Sequence, residues 1–458
     1  MTTPNLHYDV VVAGASLGGL VAGALLARRG FRVLVLCAAE PPPDPRPLLG
    51  LERPAWRRVV GELNLLQLLR RRLTAQRPAY QLVLPGARID VHDDELLRAH
   101  ELARALPAEA TAIRAHLGRC DETARLLDPL FGEDLTLPPD GFWARRELAR
   151  IEPRLPRSLD DLFPGLPAGA PGRLVSLAPA AATVDAWPLS PTAVGRAGAV
   201  FRDAPQRLAA GWDDVRRLLC ERIALHGGEL RAAAASRFEL RRGRVVAVVA
   251  GEERVGAGFV LHADPAQALP ALLGPEARPP KALQRAAALS PPAAVRVSMR
   301  MQIREAGLPE GLGDVAFLAA DPAGPLEGDR LVALYAGSRD GEVVTLTAQV
   351  VALPDADVEA ICERVHAHLL GLMPFLPRHL VARAAPTTTT LWSSAQPSAL
   401  GLCGLPHGTG LKNVLFLSSQ SIPGAGAEGE AVAAWGAARI VSQAERRRDV
   451  LEQRVLKG

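Results

Sequence analysis

The first 37 residues constrain the fold more than any other stretch of this chain. Tyr8 to Ala13 reads as a short apolar strand, and Gly14-Ala15-Ser16-Leu17-Gly18-Gly19 as a glycine-rich turn. Leu20 to Gly30 reads as an apolar helix, and Phe31 to Leu36 as a second buried strand. A strand–turn–helix–strand unit that binds a dinucleotide uses Gly-x-Gly-x-x-Gly. The first glycine makes the tight turn, the second lets the backbone approach a pyrophosphate, and the third lets helix pack on strand. Gly14 and Gly19 fill the first and third places. Ser16 stands in the second, where a side chain points toward the phosphates. The acidic residue that holds a ribose hydroxyl belongs at the end of the second strand, and that position is Cys37.

The 458 residues are enough for a large core and two domains. A net charge of +4 is too mild to argue for nucleic acid, and 4% aromatic residues give few stacking platforms for single strands. Cys37, Cys120, Cys220, Cys362 and Cys403 are scattered and odd in number, with no Cys-x-x-Cys. That pattern predicts reduced thiols in a cytoplasmic protein and no metal site. His366 and His368 are two apart on a helical stretch, so they do not share a face. Val10 to Ala27 is apolar, but its glycines and the absence of a basic leader fit a turn and helix rather than a membrane span.

Further along, Tyr80 to Val91 predicts a hairpin turning at Pro85-Gly86, and Gly211 to His226 an amphipathic helix. Glu229 to Leu240, Arg244 to Val249 and Phe259 to His262 predict a meander. Ala294 to Ile303, Arg330 to Ala336 and Val343 to Val351 predict more strands, and Asp355 to Leu370 a helix. Asn413 to Leu417 is a late apolar strand leading to Ser418–Gly429, a second glycine-rich turn, and then a helix over 428–457. Such a turn can aim a helix N-terminus at an anion.

With these pieces in order, the chain resembles the phytoene desaturase-type oxidoreductases, which include carotenoid desaturases and isomerases and retinol saturases. The N-terminal unit resembles that family's FAD-binding segment. Gly258-Phe-Val-Leu-His-Ala-Asp-Pro265 resembles its strand ending in Asn-Ala-Asp-Pro, and Pro423-Gly-x-Gly-x-x-Gly429 its C-terminal flavin signature. The resemblance implies an α/β, discontinuous two-domain FAD/NAD(P)-binding Rossmann-type fold with a mixed α+β substrate domain. Residues 1–75, 205–285 and 400–458 would form the first domain, and 76–204 and 286–399 the second. It also implies FAD as cofactor, held by Gly14, Ala15, Ser16, Gly18, Gly19, Cys37, Ala235, Ser419, Pro423, Gly424, Gly426 and Gly429. No catalytic side chain carries over. Hydride would move between flavin and an apolar substrate of isoprenoid or lipid type.

Several departures fall on the flavin site. Besides Ser16 and Cys37, the Pro41–Pro47 tract stands where a Gly-Gly pair is usual, and Ser418-Ser419 replaces Gly-Asp. Glu428 and Glu430 add negative charge where a phosphate would sit. Two readings follow: an FAD-dependent oxidoreductase with a weakened site, or a non-catalytic relative that has lost FAD and binds a lipid or a protein partner. For either, a lipid-facing role predicts peripheral membrane contact through an exposed apolar patch flanked by basic residues, with the arginines at 446, 447, 448 and 454 as candidates.

Overall fold

The computed structural model describes residues 6–38, 43–203, 205–274, 280–340, 342–394 and 398–457. Its backbone is built on two sheets, each assembled from segments far apart in sequence. The first has seven strands. Glu229–Arg231, Val33–Leu36, His7–Ala13 and Glu253–His262 lie side by side and parallel, and Val414–Phe416 joins parallel to the end of Glu253–His262. Ala235–Arg241 and Arg244–Ala250 form an antiparallel flap on the start of that same strand. The parallel strands are continuous apolar runs because both faces are covered. One cover is the helix Leu17–Arg28, in which every residue but Arg28 is buried. It packs between the sheet and the helices Trp212–Leu225 and Gly426–Lys457. The register pairs Ala13 with Leu36 and His262, and His262 with Phe416, so four strands end at one edge. In open α/β sheets that edge is where ligands bind.

The second sheet has eight strands. Leu380–Arg383 lies beside Pro292–Arg304, followed by Val343–Ala352, Leu331–Asp340, Val315–Ala319 and the hairpin Tyr80–Leu84 and Ala87–Val91; Thr387–Trp392 also pairs with Pro292–Arg304. Its two faces differ. Val297, Met299, Met301, Leu346, Ala348 and Val350 pack under the helix Val358–Leu372 through Ile361, Cys362, Val365 and Leu369. The alternate residues on the same strands include Arg296, Ser298, Arg300, Thr345, Thr347 and Gln349. A period of two puts these on the opposite face.

The expected α/β Rossmann-type fold is present. Two details differ from the sequence reading. Glu229 to Leu240 is not one strand: Glu229–Arg231 joins the parallel sheet, and only Ala235–Arg241 enters the meander. Val315–Ala319, Leu380–Arg383 and Thr387–Trp392 are additional strands that the sequence reading did not mark. Pro41 and Pro42 lie outside the described residues.

Candidate functional site

The strand His7–Ala13 delivers the glycine turn to the edge where the parallel strands end. Gly14 has φ of 102°, and a Cβ there would lie 2.5 Å from an Asp264 carboxylate oxygen, so glycine is required on both counts. Ser16 does not point out toward a ligand. It caps the helix Leu17–Arg28, its Oγ accepting from the Gly19 N–H at 3.1 Å. The Gly18 N–H donates to Glu430 Oε2 at 2.8 Å. Glu430 arrives from the start of the helix Gly426–Lys457. A helix N-terminus offers unsatisfied N–H groups and favours negative charge. Here an internal carboxylate and an internal hydroxyl take two of those donors.

An FAD diphosphate does not fit these residues as they stand. It would have to displace Ser16 and Glu430 from the donors it needs, and it would bring its charge beside Glu430 and Asp185. Packing alone already requires the C-terminal glycines. A Cβ at Gly426 would lie 2.3 Å from the Thr183 carbonyl oxygen, and one at Gly429 2.3 Å from the Ile422 carbonyl oxygen. Gly424 is packed on Leu402, and the Pro423 carbonyl accepts from the Asp185 N–H. Cys37 ends its strand with its N–H donating to the Arg231 carbonyl oxygen. Ala235 opens the meander opposite Ala250. Ser419 Oγ accepts from Trp392 Nε1 at 3.2 Å.

Between the two sheets lies a cavity of about 350 Å³, within the roughly 300–1,000 Å³ of small-molecule sites. Ala15, Ser16, Ser419 and Glu430 form its wall on the turn side. Arg296, Ser298 and Gln349 of the second sheet face them, with Thr387 and Thr389 beside. The register places Thr387 opposite Ser298 and Ser298 opposite Gln349, and the Gln349 amide donates to Ser298 Oγ at 2.8 Å. Most charges on the wall already have partners. Arg46, from the proline-rich stretch, bonds Asp44 at 2.7 Å, Asp185 at 3.1 Å and the Thr183 carbonyl at 3.0 Å. Arg296 bonds Asp185 at 3.2 Å, and Arg216 bonds Asp213 at 2.8 Å. Arg296 Nε and Gln349 Oε1 are buried without a protein partner. Beside them is a second void of about 10 Å³, the size of one water.

Electrostatics follows from this crowding. Loss of water around the Glu430 carboxyl, then repulsion from Asp185, pushes its pKa up to about 7, although part of the residue still touches the cavity. Burial works to raise Asp44, but the adjacent Arg46 guanidinium outweighs it and holds that carboxyl below its ordinary range. His262 is a structural histidine: burial pushes it down to about 4, and its Nε2 lies 3.1 Å from the Pro265 carbonyl oxygen. No cluster able to hold a metal occurs among the described residues.

The turn residues Gly14 to Gly19, Ser419 and the Pro423–Gly429 segment therefore converge on one region, while Ala235 contributes only to the meander. The sequence reading missed Asp44, Arg46, Asp185, Arg296 and the polar face of the second sheet. The alternation Arg296-x-Ser298-x-Arg300 and Thr345-x-Thr347-x-Gln349 was the signal that could have found that face.

Solved structures share this fold along nearly the whole chain. A putrescine oxidase double mutant redesigned for cofactor binding matches with TM-score 0.59 at 14% identity, covering 96% of this chain and 100% of that one. An oxidoreductase from Methanosarcina mazei matches with TM-score 0.61 at 14% identity, covering 94% and 99%. Cyclohexylamine oxidase from Brevibacterium oxydans matches with TM-score 0.56 at 15% identity, covering 97% and 100%. The chain shares its Rossmann-type fold with these oxidases and this oxidoreductase. At these identities the likeness establishes the architecture, and it does not single out the phytoene desaturase type. No protein-family model matches the chain, and no curated protein matches it in sequence.

Proposed function

We propose that this chain is a flavin-fold protein that works without the dinucleotide, a non-catalytic relative whose inter-sheet cavity holds a small polar ligand. The observation that carries this reading is the Glu430 carboxylate on the Gly18 N–H, at the seat where this fold receives a diphosphate. The cavity wall supports the second half. Hydroxyl, amide and guanidinium groups face it, and a buried polar wall is stable only when its groups find partners. This wall favours a hydrogen-bonding ligand over the long apolar substrate that the sequence resemblance implies. Calorimetric titration of FAD into the purified protein tests the reading. Heat without saturation is expected, and tight binding at one FAD per chain would overturn it.

The second reading is an FAD-dependent oxidoreductase. It is supported by the match to oxidoreductases over more than nine-tenths of the chain and by the strand ends converging on the turn. It requires Glu430 to swing off Gly18 on binding, which would appear in the same titration as saturable uptake.

A further inference from the structure

The helix Phe142–Ile151 carries exposed aromatic and basic side chains together. Ala144 and Leu148 are buried and fix the helix to the body. Phe142 and Trp143, in its first turn, point outward and are 69% and 74% exposed. Their rings meet edge to face with centroids 5.4 Å apart. The Arg146 guanidinium lies 5.7 Å from the Trp143 ring centre, a cation–π contact on the outer surface. Arg145, Arg146, Arg150, Arg154 and Arg157 are all exposed. Over residues 142–157 these five arginines face two acids, Glu147 and Glu152. Glu147 pairs with Arg150 at 3.1 Å, and Glu152 accepts from the Leu400 N–H at 3.0 Å. Asp160 and Asp161 lie beside Arg154 and Arg157, which leaves Arg145 and Arg146 as the exposed cations next to the aromatic pair.

We propose that this face docks the protein on an anionic lipid surface, with Phe142 and Trp143 seated in the headgroup boundary and the arginines against the charged headgroups. Aromatic side chains beside basic residues suit that boundary, where one layer is apolar and the next is wet and negatively charged. Area argues against a protein partner. Two aromatic side chains bury roughly 300–500 Å² together, short of the roughly 1,000 Å² a stable protein interface needs. No described helix is long and apolar enough to cross a membrane, so the contact is peripheral. This surface differs from the C-terminal one suggested by sequence: Arg446 is exposed, and the side chains of Arg447, Arg448 and Arg454 lie outside the described residues.

Vesicle flotation of the full chain tests the proposal. The parent protein should float with phosphatidylserine-containing vesicles at low salt. It should stay in solution with purely phosphatidylcholine vesicles, and be released from anionic ones by high salt. Phe142→Ala/Trp143→Ala should lower partitioning on the order of tenfold or more. Because both side chains are exposed, that variant should unfold at the parent's temperature. Arg145→Gln/Arg146→Gln should flatten the salt dependence. Parent protein that stays in solution with anionic vesicles at low salt would overturn the proposal. So would an aromatic double variant that floats as well as the parent. Self-association without vesicles that the same double variant abolishes would reassign the face to a protein interface.

Discussion

Residue by residue, the outcome turns on Glu430. Restoring the missing positions alone, with Ser16→Gly, Cys37→Glu and Ser419→Asp, frees the Gly19 N–H but should not give tight FAD binding, because the Gly18 N–H remains bonded to Glu430. Adding Glu430→Ala should strengthen FAD binding by about tenfold or more, worth about 1.4 kcal/mol. Equal calorimetric affinity in the triple and quadruple variants would contradict this. The same carboxyl sets a pH dependence. Its folded pKa, about 7, lies above its ordinary 4.5, so its stabilising contribution is complete below about 4.5 and is lost as pH rises through 7. Glu430→Gln imitates the neutral form. The variant should match the parent near pH 5 and exceed it near pH 8, by about 3 kcal/mol at most. Parallel thermal-stability curves across that range would remove Glu430 from this role.

Between elements, one buried ion network ties the helices around the turn. Arg196, on the helix Pro191–Arg202, bonds Glu428 through two nitrogens at 2.9 and 2.6 Å and Asp128 at 2.6 Å. Asp128 belongs to the helix Ala110–Gly132 and also holds Arg53 at 2.9 Å. Arg196 is only 2% exposed, so Arg196→Ala would strand Glu428 without its counter-charge. The expected loss is about 3–5 kcal/mol by chemical denaturation. Arg196→Leu with Glu428→Leu should recover a large part of it, and a double variant no better than the single would show that the pair does more than balance charge. The glycine turn, the helix after it and the late strand were legible in sequence because local spacing encodes them. The network was not, because Arg196 and Glu428 are 232 residues apart and nothing local marks them as partners. Ser16 shows the same limit. Its replacement of a glycine was visible, but its turn back onto Gly19 depends on the helix that follows.

For the whole molecule, neither half of the first sheet closes alone. His7–Ala13 sits between Val33–Leu36 and Glu253–His262, and the latter lies between His7–Ala13 and Val414–Phe416. A fragment ending at residue 90 would therefore lack a neighbour for its first strand and the covering of its last helix. It should show no cooperative unfolding transition in circular dichroism, and a sharp transition would mean that the N-terminal unit folds by itself. The second sheet's polar positions alternate visibly along each strand, but that they gather into one wall facing the glycine turn depends on contacts between distant segments. That face and Glu430 together carry the proposal that a Rossmann-type fold is kept while its dinucleotide seat is filled from within. The most direct test is the visible absorbance spectrum of freshly purified protein, with any flavin released by heat and counted against chain concentration. The spectrum should show no flavin bands, and heating should release essentially no flavin. A yellow protein carrying one FAD per chain would contradict it.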